Sequence, residues 1–210
     1  MTRVETLGWE DLAGGASVSR TMESLKARNI AVELLKDRGE ALNRVTELLP
    51  EGAEIMMGSS TTLSEIGFLD LVKSGAKGWR NLRDTMVGVT DPAKRYELRA
   101  GASLAQYFLG SVHAVAETGE VVVASNTGSQ LPSYAYSSPN VIWVVGTQKI
   151  VPSLDVAIRR VREYCLPLED KAMKAAGQPG SAVGKLLIFE REVNPIRKIR
   201  MLLVEEKLGY

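Results

Sequence analysis

At 210 residues the chain is long enough to bury a sizeable core and short enough to form one domain. Lys plus Arg number 26 against 25 Asp plus Glu, a balance that argues against a dedicated nucleic-acid binder, which carries a basic excess or stripe. One cysteine, Cys165, and one histidine, His113, exclude an intramolecular disulfide, a self-held iron–sulfur cluster, a thiolate zinc site and the usual His-based triads.

The N-terminal "MTRVETLGWEDLAGG" has no apolar h-region, and no apolar span is long enough to cross a bilayer, so a cytoplasmic protein without membrane insertion is expected. Residues 1–16 read as a poorly packed lead-in and 17–210 as a single α/β domain. A helix is predicted in "SVSRTMESLKARN" and a strand in "IAVELL", where β-branched and apolar residues gather. Asp37 can cap a second helix, "RGEALNRVTELL", which Pro50 and Gly52 end. The short continuous apolar run "AEIMMG" suits a strand buried on both faces, as in a parallel sheet covered by helices.

A helix is then predicted through "LSEIGFLDLVKSG" to Gly75, with "GWRNLRD" as a connector. Asp91 followed by Pro92 is a strong helix start. "VHAVAETGEVVVAS" reads as two strands around a tight Thr118-Gly119 turn, and "NVIWVVG" as a further central strand. "VPSLDVAIRRVREYCLPLEDKAMKAAG" is helical with Leu154, Ile158, Val161 and Cys165 on one face, and Pro167 should kink or divide it. "KLLIFERE" and "IRMLLVEE" complete the strands, and the basic cluster "IRKIR" at 196–200 reads as the solvent face of the last one. Helices alternating with apolar strands give an α/β fold, a three-layer sandwich around a largely parallel mixed sheet.

The informative pattern is a recurrence. "MMG-SSTT" leads from a buried strand into a helix, "VVG-TQKIVPS" does the same, and "VVVAS-NTGSQ" leaves another strand into a polar loop. In open α/β sheets ligands bind beyond the carboxyl ends of the strands, so these loops converge on one crevice if their strands are parallel neighbours. In the first loop Gly58 permits a close backbone approach, while Thr62 with Glu65 fits the capping box and makes Thr62 the expected helix N-cap. Ser59, Ser60 and Thr61 are then free to face an anion at the positive end of a helix, worth about 0.3–1 kcal/mol. The other reading is a capped turn whose hydroxyls bind water and backbone. A Walker A loop is excluded, because "GSSTTLSEIG" has no lysine.

Asn126, Thr127 and Gly128 offer neutral contacts at the third loop, and Lys149 is the cation best placed to meet a ligand carboxylate or phosphate, against the reading favoured by its loop position, a solvated lysine. Glu117 ends its strand beside the Thr118-Gly119 turn and is the candidate catalytic carboxylate, with a solvated hairpin glutamate as the alternative. Four residues of extended chain, about 13 Å, separate it from His113, too far for a direct acid–base pair. His113 reads as a half-buried strand residue and Cys165 as core. No pattern calls for a bound metal or cofactor.

Taken in order, "GSSTTLSEIG", "YFLGSVHAVAETGEVVVASNTGSQ", "VIWVVGTQKIVPSLDVAIRRVREYCLPLED" and "LLVEEKLGY" resemble the LUD (lactate utilization) domain family, which includes lactate utilization protein C. The resemblance implies a fold of the ribose-5-phosphate isomerase/glucosamine-6-phosphate deaminase/CoA-transferase-like type, with Gly58 to Thr62 at the position of a substrate-contacting loop. It also implies a link to oxidation of lactate to pyruvate with iron–sulfur partners, and with one cysteine this chain must leave the clusters to another subunit. "AETGE" is similar to the E-N-G-like element of CoA transferases, with Thr118 in place of the asparagine. Three functions follow as expectations: a subunit binding a small carboxylate or phosphorylated metabolite, a standalone isomerase- or CoA-transferase-like enzyme using Glu117, or a non-catalytic interaction subunit. Whether the chain is an enzyme, and whether it forms a homo-oligomer, stay open at this level.

Overall fold

The computed structural model describes residues 8–210. In chain order the elements are α1 (Gly15–Ala27), β1 (Ile30–Leu35), α2 (Arg38–Leu48), β2 (Glu54–Met57), α3 (Thr61–Glu65), α4 (Phe68–Lys73) and β3 (Arg80–Asn81). They continue as α5 (Pro92–Ala102), β4 (Tyr107–Gly110), β5 (Ala114–Ala116), β6 (Val121–Ser125), β7 (Asn140–Gly146), β8 (Ile150–Val151), α6 (Leu154–Arg160), α7 (Leu166–Ala175), β9 (Lys185–Phe189) and β10 (Lys198–Val204). Six strands form a wholly parallel sheet in the order β1-β10-β7-β4-β2-β3. The antiparallel pairing expected of a mixed sheet is confined to a second sheet, β8-β5-β6-β9, in which β6 runs against both neighbours.

Residue alternation along the strands builds the layers. Val141, Trp143 and Val145 of β7, with Ile199, Met201 and Leu203 of β10, point to one side, where α1 and the second sheet pack. Ile142 and Val144, with Leu202 and Val204, point to the other, beneath α2, α3 and α4. The sandwich is therefore three-layered around the parallel sheet, and α6 covers the far face of the second sheet through Ala157. An aromatic chain ties the two sheets, with Phe108–Tyr134, Tyr134–Trp143 and Trp143–Phe189 meeting edge-on at centroid distances of 5.2, 5.5 and 5.4 Å. Each such pair adds about 0.5–1.5 kcal/mol beyond the area it buries.

Local signals explain most boundaries. Asp37 accepts from the Glu40 amide at 2.9 Å and Asp91 from the Ala93 amide at 3.0 Å, so both predicted caps form. The helix expected from Leu63 to Gly75 is instead split, because Gly67 takes φ 82 and turns the chain between α3 and α4. The helix is divided near Pro167, which stands in the first turn of α7. The chain passes from α6 to α7 through a π turn, Val161–Cys165, lying just upstream of the ring that removes an amide donor and crowds the preceding turn.

"IRKIR" is corrected at Arg197, while Lys198 stays exposed and Arg200 half-buried on either side of the buried Ile199. Arg197 is buried and its guanidinium pairs with Glu192 at 2.5 Å, while donating to the carbonyls of Ser133, Tyr134, Ala135 and Ser138. Of the expected lead-in, residues 1–7 lie outside the described residues. From Gly8 onward it is anchored: Trp9 packs beside α6, and Glu10 accepts from the Tyr164 hydroxyl at 2.7 Å.

Candidate functional site

A cleft of about 290 Å³ opens beyond the carboxyl ends of β2, β4 and β7, neighbours in the parallel sheet. Gly58, Ser59, Ser60, Thr61 and Thr62 line it from the loop after β2, and Lys149 from the short turn after β7. Asn126 and Thr127 also line it, but they come from the second sheet, because β6 is not a neighbour of β2 or β7. Gly128 is not part of the wall. At φ 87 it shapes the turn, and its amide donates to Ser125 Oγ at 2.9 Å.

Glu117 lies apart from the cleft wall. Its carboxylate accepts from Ser17 Oγ at 2.6 Å and pairs with Arg20 at 2.8 Å, tying β5 to α1 and holding the carboxyl below its ordinary range.

The loop after β2 caps differently from expectation. Ser60 is the N-cap of α3 and accepts from the Leu63 amide at 3.2 Å. Thr62 is buried inside the first turn: its hydroxyl donates to the Leu208 carbonyl at 3.2 Å and accepts from Lys149 Nζ at 3.2 Å. Glu65 reaches the Gly209 amide at 2.7 Å instead of closing a capping box. With only the five residues Thr61–Glu65, α3 lends little dipole to the cleft. The positive character has to come from side chains.

Lys149 supplies it. The residue is 2% exposed, and its ammonium touches only two neutral hydroxyls, Thr62 Oγ1 at 3.2 Å and Ser111 Oγ at 3.0 Å. No carboxylate pairs with it among the described residues, although buried charges are ordinarily paired. Burial and the positive charge of Arg160 push its amine down to about 7. Arg83 and Arg99, both exposed, add two further cations to the wall.

Two wall residues, His113 and Cys165, and Arg160, which contacts both, carry chemistry that local pattern did not reveal. His113 accepts from the Ala124 amide through Nδ1 at 3.2 Å, which leaves the proton of the neutral ring on Nε2. Burial, with Lys149 and Arg160 nearby, pushes its pKa down to about 3, so it acts as a neutral group. Cys165 is buried in the wall, and desolvation raises its thiol, so it stands there as SH. Arg160, fully buried, donates to the carbonyls of His113 at 2.5 Å and Trp9 at 3.1 Å, and its Nε has no partner. A signal for Ser111 and His113 was present: "YFLG-SVH" repeats the apolar-run, glycine, hydroxyl form of "MMG-SS". A Cβ at Gly110 would collide with the Tyr134 hydroxyl, so that glycine answers to packing.

A family model describing the LUD domain matches residues 18–179. The chain belongs to the LUD domain family. The match takes in the loop after β2, the loop after β6 and Lys149, and stops short of β9 and β10. Among solved structures, a DUF162 family protein from Deinococcus radiodurans is similar to this LUD domain protein in fold, with a TM-score of 0.56 at 12% identity, covering 92% of this chain and 99% of that one. No curated protein gives a match. No helix among the described residues is long and apolar enough to cross a membrane, and no group of three His, Cys, Asp or Glu side chains among them could hold a metal ion.

Proposed function

We propose that this LUD domain protein binds a small anion, a carboxylate or phosphorylated metabolite, in the cleft beyond β2, β4 and β7, as a subunit serving lactate utilization. The observation that carries the reading is Lys149, a buried cation that faces the cleft with hydroxyl partners alone. Leaving an ammonium unpaired in a protein interior costs several kcal/mol, and a bound anion supplies the missing partner. Gly58 to Thr62, Asn126 and Thr127 would add neutral hydrogen bonds around it, and Arg83 and Arg99 draw an anion toward the mouth.

On this reading the protein is the cytoplasmic, cluster-free member of an assembly whose electron transfer runs through an iron–sulfur partner, since one cysteine cannot hold a cluster. Nothing at Glu117 favours the alternative of an isomerase- or CoA-transferase-like enzyme, because its carboxylate is engaged by Ser17 and Arg20 away from the cleft wall.

Thermal-shift screening against lactate, pyruvate, sugar phosphates and CoA esters tests the proposal. A ligand held only by the native state raises the melting temperature, by about 2.7 kcal/mol of stability at a hundredfold excess over Kd. The expected result is a shift with at least one small anion that disappears in Lys149→Met. An anion shift of equal size in that variant would refute the assignment.

A further inference from the structure

The charge of Lys149 is only half of what this side chain offers. A neutral amine withdrawn from water is also a nucleophile, and lysines desolvated beside another cation are the ones that add to carbonyl compounds. We infer that Lys149 captures a small 2-oxo acid or related carbonyl compound as an imine in the cleft. The inference rests on the cleft being the ligand site, and it names a substrate class for it.

The geometry around Nζ supports the step. Thr62 directs its one hydroxyl proton at the Leu208 carbonyl, so it meets the amine as an acceptor and fixes one N–H. Ser111 Oγ lies 3.0 Å from Nζ, and its remaining contact, the Val112 carbonyl at 3.5 Å, is too long to commit its proton. That hydroxyl is free to donate to the nitrogen lone pair, or to the oxygen that develops when a carbonyl is attacked. The ionisable groups around the amine are Arg160, Cys165, Glu65 and His113. None of them forms an ion pair with it; Glu65 favours the ammonium form from a distance, but burial and Arg160 outweigh it. Its depressed pKa, about 7, leaves a large neutral fraction at neutral pH, whereas an exposed lysine near the ordinary 10.4 has almost none.

The step balances without a redox partner. The nitrogen lone pair forms a C–N bond while the carbonyl π pair moves to oxygen, and a proton passes from nitrogen to oxygen to give the carbinolamine. The C–O bond then breaks and hydroxide leaves with a second proton as water, so one water is released and a C=N bond remains. Protonation of that imine restores a positive charge at Nζ, which keeps the site complementary to the carboxylate of a 2-oxo acid. A cleft of about 290 Å³ suits a compound of a few carbons. His113, neutral with its proton on Nε2, adds a hydrogen-bond donor to the same wall.

Reductive trapping tests this on the full chain. The protein is incubated at neutral pH with pyruvate and sodium cyanoborohydride, which reduces an imine to a stable secondary amine, and the adduct is mapped by peptide mass spectrometry. The expected result is one adduct at Lys149, formed about tenfold or more faster than at any exposed lysine. Lactate, which has no ketone or aldehyde carbonyl, should protect Lys149 from labelling while forming no adduct itself. In Lys149→Arg the adduct should vanish, and if that variant does not fold, the comparison among lysines of the unmodified protein decides alone. Labelling of Lys149 no faster than the exposed lysines would overturn the inference; a persisting pyruvate-induced thermal shift would show that the anion site survives it. Absence of any thermal shift together with selective labelling would instead retire the anion reading and keep the capture.

Discussion

Two buried cations sit at opposite ends of the parallel sheet and are treated in opposite ways. Arg197, just before β10 at the amino ends of the strands, has a carboxylate at 2.5 Å and four backbone carbonyls. Lys149, beyond the carboxyl end of β7, has two hydroxyls and no carboxylate. Both are nearly inaccessible, 8% and 2% exposed. A satisfied buried ion pair fastens the fold, here holding the turn at Ser133–Ser137 against the β10 entry. An unpaired buried cation at the carboxyl edge of the sheet is a cost to folding, and the proposed anion is the partner that would offset it.

Removing each cation should therefore do opposite things. Arg197→Met leaves Glu192 buried without its partner and strips four carbonyls of a donor, so stability should fall by about 3–5 kcal/mol in denaturant titration. Its anion-induced thermal shift should remain. Lys149→Met removes an uncompensated charge, so the unliganded protein should be as stable as the parent or up to about 2 kcal/mol more stable. In that variant the ligand-induced gain, about 2.7 kcal/mol at a hundredfold excess over Kd, should be lost. If the two variants lost stability equally, the contrast between the two ends would be false.

The pH dependence sharpens the same contrast. The folded-state pKa of Lys149, about 7, lies below its unfolded value. Between the two values the unfolded chain binds the extra proton, so this group makes stability rise with pH from about 7 toward 10, by at most about 1.4 kcal/mol per unit. The difference between parent and Lys149→Met isolates it. Anion affinity should run the other way, falling as pH rises above about 7, by up to tenfold per unit, because an anion binds the ammonium form. Smallest of all should be Glu117→Gln. Its pair with Arg20 is half exposed, so the loss should be about 1 kcal/mol or less, with the anion response unchanged.

Much of the scaffold was legible because its signals are local. "NVIWVVG" and "IRMLLVEE" are continuous apolar runs of strand length, and Asp37 and Asp91 reach amides two or three residues away. The site was legible as far as its loops, through the repeated step from apolar run to glycine to hydroxyl. Misreadings arose where distant partners overrode local pattern. Thr62 and Glu65 fit a capping box, but their side chains go to Leu208 and Gly209, at the other end of the chain. Arg197 sits in an alternating basic run, yet the carbonyls of a turn some sixty residues earlier draw it inside. Cys165 and Arg160 join the Lys149 environment only because α6 and the π turn lie over the second sheet, a packing that no spacing in the sequence encodes.

The central claim is that the unpaired ammonium of Lys149 is the anion's partner. A crystal structure of the protein with lactate or phosphate bound tests it most directly. The account predicts an anion oxygen within hydrogen-bond distance of Lys149 Nζ, about 2.7–3.2 Å, between the loop after β2 and Ser111. An anion bound elsewhere, with Nζ still held by Thr62 and Ser111 alone, would contradict it.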